Sequence, residues 1–217
     1  MAHDERIERT YATTQLTKPA RAAARTATVV HDGSAFQLSA DLRQLGFEVT
    51  EGPLLSFSAR YAEPPRLAIL ATKPGVARAE RLHAWTRELC AHGTTVVAVG
   101  ASMGALAEFF GSHLVPNREP TETGRLADVA AEHAGLFVGT PLAFRLALAP
   151  AVRVECEDLS SEFAVTARCR DGELIGASHV FRPIHLLHGS VLESSDLRPL
   201  VLGNLLRLVR DRGGRAF

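Results

Sequence analysis

The chain has 217 residues, of which 46% are hydrophobic and 22% charged, a composition typical of a folded globular protein. Its 24 Lys and Arg residues balance 24 Asp and Glu residues, which argues against electrostatic binding to nucleic acid or to an acidic membrane. No apolar run is long enough to span a bilayer, and the polar N-terminus does not resemble a secretory signal. We therefore expect a cytoplasmic protein, with a flexible N-terminal arm over residues 1–26 and one domain over residues 27–217.

Short apolar runs alternate with segments of helical periodicity in the first half of the chain. The runs predict strands over residues 28–31, 47–50, 67–70 and 94–99. Helix-period segments follow the first, third and fourth runs, and their ends are marked by Gly46, Gly93 and Gly111. This alternation predicts an α/β fold with an open, mostly parallel sheet.

The sequence becomes mostly β-like after Gly111. Residues 162–169 and 174–180 flank a turn that contains Asp171 and Gly172, a strong signal for a β-hairpin. Another strand is predicted over residues 184–187, and a wide apolar face predicts a closing helix over residues 196–210. We expect the hairpin to form a small antiparallel extension of the sheet.

A glycine-rich segment follows the fourth predicted strand and opens a helix. Residues 100–104 read GASMG, the layout of a nucleophile elbow, in which a sharp strand–turn–helix presents one side chain in a cleft. Ligands of open α/β sheets bind at the carboxyl ends of the strands, where both this segment and the turn at residues 73–75 are predicted to lie. The elbow is therefore the first candidate for a functional site.

Several segments together resemble the class I glutamine amidotransferases, specifically the glutaminase subunit of anthranilate synthase and aminodeoxychorismate synthase. They are VVHDGSAF at residues 29–36, GALAEFFG at 104–111, GLFVGTP at 135–141 and RDGELIG at 170–176. The resemblance covers about residues 28–210. It implies a flavodoxin-like fold with flanking helices and a partner protein that uses chorismate.

The residues that would carry glutaminase chemistry depart from the family's pattern. The family's elbow holds a cysteine, whose thiolate attacks the glutamine amide. Alignment on the glycines places Ser102, between Gly100 and Gly104, at that position, whereas alignment on the following helix places Gly100 there. The family's late histidine matches His188, but the glutamate two residues after it is absent, so we expect an imidazole without an orienting carboxylate.

The predicted oxyanion and pocket regions also differ. Lys73 stands before Gly75 in a turn where the family has glycines for close approach to the ligand, and Thr123-Gly124 replaces the family's His-Gly. We therefore favour a catalytically degenerate subunit that binds and stabilises or regulates a chorismate-using synthase. The predicted interface groups are Lys73, Pro74, Arg118 and Glu119.

Two other functions stay open at this point. A repurposed hydrolase or transferase would use Ser102 as nucleophile, His188 as base and Glu193 or an aspartate as orienter; otherwise Ser102 is a small residue that caps the following helix. A small-ligand sensor would use the old glutamine pocket. His179, His185 and His188 do not have convincing metal-ligand spacing, and the three cysteines lack paired spacing, so we predict neither a metal site nor a cofactor. Homo-oligomerisation is an alternative to a synthase partner.

Overall fold

The computed structural model describes residues 25–32, 36–57, 63–72, 76–115, 125–148 and 153–212. In chain order the strands are β1 Thr26–His31, β2 Glu48–Gly52, β3 Leu67–Ala71, β4 Thr95–Val99, β5 Leu114–Val115, β6 Arg125–Ala131, β7 Ala143–Leu148, β8 Arg153–Val154, β9 Phe163–Cys169, β10 Leu174–His179 and β11 Ile184–Leu187. The helices are α1 Phe36–Gln44, α2 Val76–Ala91, α3 Ala101–Phe109, α4 Gly189–Glu193 and α5 Leu197–Arg212.

Nine of the strands form one mixed sheet in the order β2-β1-β3-β4-β11-β10-β9-β6-β7. The first five run parallel to their neighbours, and the last four continue the sheet in antiparallel pairs. Strands β5 and β8 form a separate two-stranded ribbon. The α/β fold predicted from the alternation is thus confirmed, and the antiparallel part contains four strands of the main sheet.

Two hydrophobic clusters cover the two faces of the sheet. One contains Val29, with Leu42 of α1 and Leu205 of α5; the other contains Val30, with Leu82 of α2 and Leu106 of α3. Neighbouring strand residues enter opposite clusters because successive side chains of a strand point to opposite faces. Strands β3 and β4, inside the parallel part of the sheet, are therefore buried on both sides, whereas the edge strand β2 is partly exposed.

The observed secondary structure agrees with the predicted elements in the first half of the chain and in the hairpin. Predicted strands and helices overlap β1 to β4, α1 to α3, β9 to β11 and α5. Strands β6 and β7 had no specific prediction. Of the predicted N-terminal arm, the structure describes residues 25 and 26 alone, and Thr26 begins β1. Among the described helices, none has the length and apolarity that crossing a membrane requires.

Candidate functional site

The elbow between β4 and α3 is formed by Gly100. Its backbone has φ 59° and ψ −123°, a region that glycine adopts without the steric cost of a Cβ atom. The Gly100 N–H donates to the carbonyl of Leu187 at 3.1 Å, which fixes the turn against the end of β11. A Cβ atom built at Gly100 would meet no described atom within 4 Å. The tip of the elbow therefore carries no side chain, and no described atom would contact a Cβ atom there.

Ser102 lies inside the fold, as the second residue of α3. Its side chain is fully buried, and its hydroxyl donates to the Thr72 carbonyl and accepts from the Thr72 N–H, both at 3.0 Å. The hydroxyl thus ties α3 to the end of β3. It does not cap α3, because the residue before the helix is Gly100 and no side chain there bonds to the first turn. Gly104 is a buried position of the same helix.

The geometry of the elbow distinguishes between the two alignments, which place either Ser102 or Gly100 at the nucleophile position. A nucleophile elbow lifts its reactive side chain from the sharp turn between strand and helix. Gly100 occupies that turn, whereas the Ser102 hydroxyl is buried and bonded to Thr72. The geometry therefore fits the alignment that places Gly100 at the position of the family's cysteine.

His188 follows β11 and begins the short helix α4. The residue is buried, and its Nδ1 accepts a hydrogen bond from the Ser190 N–H at 3.3 Å, so the imidazole caps α4. In the neutral ring the proton then resides on Nε2. Nε2 has no hydrogen-bond partner among the described residues, but it lies 3.8 Å from Oε1 of Glu173. Burial lowers the pKa of His188, and the nearby Glu173 carboxylate only partly offsets this effect.

Glu173 belongs to the hairpin between β9 and β10, and its side chain is 9% exposed. The sequence predicts an imidazole without the family's orienting glutamate, because the position two residues after His188 is Ser190. The hairpin brings another carboxylate, from fifteen residues earlier in the chain, to 3.8 Å from Nε2, but it makes no hydrogen bond to the ring. Glu193, the other carboxylate considered, is the last residue of α4 and raises the pKa of His188 less than Glu173 does.

Arginines surround the carboxylates of this hairpin. Arg125 forms an ion pair with Glu173 and a second with Asp171 at 2.9 Å. Arg153 pairs with Glu155 at 2.5 Å and with Asp171 at 3.4 Å. Burial alone would raise the pKa of Asp171, but the two guanidiniums outweigh burial and lower it. We call Arg125, Arg153, Glu155, Asp171 and Glu173 the hairpin charge cluster.

A metal ion would have to compete with a thiol proton and with the ion pairs of these groups. Cys169, Asp171 and Glu173 hold ligand atoms within 4.8 Å of one another. Burial, however, raises the pKa of the Cys169 thiol to about 12, so the thiol stays protonated at neutral pH. The two carboxylates are already paired with Arg125. The group is therefore best described as an ion-pair cluster.

The three histidines noted in the sequence have separate partners. His179 Nε2 lies 3.1 Å from Glu162, while its Nδ1 accepts from the N–H groups of Phe181 and Arg182, each at 3.1 Å. His185 Nδ1 bonds to the Ser178 hydroxyl at 2.9 Å.

The remaining predicted site and interface residues lie outside the described residues; they are Lys73, Pro74, Gly75, Arg118, Glu119, Thr123 and Gly124.

Comparisons with known proteins relate this arrangement to one fold. No protein-family model matches the sequence, and no curated protein matches it. A solved protein of Thermoplasma acidophilum, described as a GMP synthase subunit, superposes with a TM-score of 0.71 at 16% identity, over 87% of this chain and 95% of its own. A glutamine amidotransferase of Thermotoga maritima gives 0.63 at 12% identity, over 88% and 99% of the two chains. SMU.1228c gives 0.60 at 10% identity, over 87% and 99%.

The protein therefore has the fold of the glutamine amidotransferase-like proteins. The match extends through both parts of the main sheet, since it covers at least 87% of the chain in each case. At identities of 16% or below, the likeness is one of fold.

Proposed function

We propose that the protein is a glutamine amidotransferase-like subunit that does not hydrolyse glutamine and acts by binding a biosynthetic synthase. The observation that carries the proposal is Gly100 at the tip of the elbow. Glutamine hydrolysis by this class of protein requires a thiolate that attacks the amide and holds the acyl group as a thioester. A glycine at that point offers no atom that could form the bond.

The other candidate nucleophiles do not replace the missing thiol. Cys90 lies in α2, which precedes β4 in the chain, and burial raises the pKa of Cys156 to about 11 and that of Cys169 to about 12. Ser102 has no exposed surface and both its hydrogen bonds go to Thr72. These features also argue against a serine hydrolase.

The kind of partner is inferred from resemblance. The four sequence segments described above are similar to the glutaminase subunits of chorismate-using synthases, and one structural neighbour is described as part of a synthase. Such a protein can keep its interface after losing its chemistry, because association depends on a few buried contact residues rather than on the reactive thiol. We place the interface at the elbow end of the sheet, with Lys73, Pro74, Arg118 and Glu119 as contact residues.

The test combines a chemical assay with a binding assay. Glutamate release from glutamine is measured for the chain alone and with any chorismate-binding synthase found to be encoded beside it. We expect no turnover near the rate of ordinary enzymes, about 1 per second or more, and co-elution of the two proteins. Lys73→Glu and Arg118→Glu should weaken co-elution without changing the melting temperature, and Arg210→Glu, at an exposed position of α5, is the matched control. Glutamine turnover, or labelling of Ser102 by a serine-directed acylating probe, would refute the proposal.

A further inference from the structure

The two edges of the nine-stranded sheet differ in how they are protected. The β2 edge carries Glu48 and Glu51, and Glu51 is paired with Arg43 at 2.9 Å. Charged residues on an edge strand discourage pairing with another chain. At the other edge, Arg145 is the one charged residue of β7. Strand β7 pairs with β6 over six residues without a register shift, and within the described residues no strand lies on its other side.

The backbone groups of β7 that point away from the sheet follow from the hydrogen bonds of β6. The Ala131 N–H donates to Leu142, whereas the Glu132 N–H donates to Thr166 in β9. Because the direction of these bonds alternates along an antiparallel strand, the odd-numbered residues of β6 bond to β7 and the even-numbered residues bond to β9. The register then leaves the N–H and C=O groups of three residues of β7 directed outward, namely Ala143, Arg145 and Ala147.

The side chains beside this edge are mostly small or apolar. The exposed face of β6 and β7 carries a single ion pair, between Arg145 and Asp128 at 3.6 Å, with both side chains at least 60% exposed. Leu126 is 55% exposed and Leu142 is 64% exposed at this end of the sheet. An edge strand with one charged residue and otherwise small or apolar side chains is a template for strand pairing.

We propose that β7 pairs antiparallel with β7 of a second copy of this chain, so that the protein forms a two-fold dimer through this edge. Two identical edge strands meet antiparallel about a two-fold axis, and the contact is closed because each copy contributes the same edge strand. The formal net charge of zero means that two copies do not repel each other at long range.

The position of Arg145 limits the register of this pairing. Residues directly opposite in an antiparallel pair share a face, so Arg145 must face an outward-pointing residue of the second copy. Opposition of Arg145 to its own equivalent would bring two like charges together, which is destabilising. A two-fold axis at Phe144 or at Leu146 instead places Arg145 opposite Ala143 or Ala147.

The elbow strand β4 is five strands away, about 24 Å at 4.8 Å per strand, so the dimer and a partner at the elbow occupy separate surfaces.

The first experiment removes one outward N–H group. Sedimentation velocity of the full chain over a range of concentrations gives the dimer Kd. Arg145→Pro deletes an N–H that makes no bond to β6, so the ladder within the sheet is kept while the edge is blocked. We expect the Kd to rise at least about ten-fold, whereas Arg145→Ala, which keeps the N–H, should leave dimerisation in place.

The second experiment places either positive or negative charges opposite Arg145. It also tests the proposal if Arg145→Pro does not fold. The double variant Ala143→Lys/Ala147→Lys should raise the Kd by about three-fold or more, and Ala143→Glu/Ala147→Glu should lower it by a similar factor. A wild-type chain that is monomeric up to about 100 µM would overturn the proposal. A dimer unaffected by Arg145→Pro, or shifts of equal sign in the two double variants, would overturn it as well. None of these outcomes depends on glutaminase activity or on a synthase.

Discussion

The Nε2 atom of His188 lies 3.8 Å from Oε1 of Glu173, a carboxylate that the hairpin brings to the end of β11. Glu173 is also paired with Arg125, so the buried imidazole is connected through one carboxylate to the hairpin charge cluster. Because Nδ1 accepts from the Ser190 N–H, both ring nitrogens are directed toward groups of the protein itself. The neutral ring therefore carries its proton on Nε2 and has no free acceptor nitrogen.

The buried state of His188 predicts a pH dependence of stability. Its pKa in the folded chain is lowered, so the unfolded chain binds more protons near and below about pH 6.5, and stability is lost as the pH falls through this range. Asparagine can accept the same hydrogen bond from Ser190 and does not titrate. We expect His188→Asn to lose less unfolding free energy than the wild type between about pH 7 and pH 5, as measured by urea unfolding.

The control for this prediction is His92→Asn, a change at a half-exposed histidine just after α2, which should follow the wild-type profile. The unfolding free energy of His188→Asn should still fall somewhat as the pH falls, because burial also lowers the pKa of His179. Glu162 partly opposes this effect. Identical pH profiles for His188→Asn and the wild type would contradict the prediction.

The ion pair between Arg125 and Glu173 predicts strong coupling in a double-mutant cycle. Arg125→Met leaves the nearly buried Glu173 carboxylate without its guanidinium and should cost about 1–3 kcal/mol, since the arginine itself is partly exposed. The double variant Arg125→Met/Glu173→Met should lose less unfolding free energy than the sum of the losses of the two single variants. The difference, which is the coupling energy, should be about 0.5–3 kcal/mol. Thermal or urea unfolding of the four proteins gives the cycle.

A matched cycle on the exposed pair of Arg145 and Asp128 should show coupling near zero, because both side chains are mostly in water. Equal coupling in the two cycles would mean that burial does not strengthen the hairpin pair.

The sequence predicted the parallel part of the fold well, and the reason is the strength of its periodic signal. Strands β3 and β4 are continuously apolar and end at turns, and α2 places Leu82 and Leu89 on one buried face. Strands β6 and β7 escaped prediction because alanines occupy both faces. Ala127 is buried and Ala130 is exposed, so the alternation of burial produces little alternation of hydrophobicity.

The candidate site was only partly predictable. The sequence locates the elbow and favours Ser102 as the counterpart of the nucleophile, with Gly100 as the alternative alignment. The distinction depends on a backbone conformation that the residue pattern does not determine. The contact of His188 with Glu173 joins the end of β11 to the turn before β10, so the spacing of the two residues in the chain forms no motif. The turn at residues 170–173, which contains Asp171 and Glu173, is the available sign of a nearby carboxylate, but its pattern predicts only a hairpin.

Ser102 is predicted to matter for stability and not for catalysis. Ser102→Ala leaves the Thr72 N–H and carbonyl without their buried partner and should cost about 1–3 kcal/mol in urea unfolding. Ser195→Ala, on an exposed serine, should stay within about 0.5 kcal/mol of the wild type. Ser102→Cys should release no glutamate from glutamine, because the thiol would be buried beside Thr72. Glutaminase activity in Ser102→Cys would contradict this account of the residue.

Gly100→Cys tests whether the elbow lacks only a nucleophile. The added Cβ meets no described atom within 4 Å, so the variant should fold, with a cost of about 1–2 kcal/mol for a side chain at positive φ. Its thiol should react with iodoacetamide in the native protein much faster than the buried Cys169, whose pKa is raised to about 12. Mass spectrometry of the labelled peptides measures both rates.

Glutamine turnover should remain absent in Gly100→Cys, because Nδ1 of His188 already accepts from the Ser190 N–H and the neutral ring then has no free nitrogen to take the thiol proton. Gly203→Cys is the matched control. It adds an exposed thiol on α5 with no atom within 4 Å and no positive φ, so it should be labelled without the loss of stability. Steady-state glutamate release by Gly100→Cys at about 1 per second or more would show that base and pocket are intact and that the chain lacks a thiol alone.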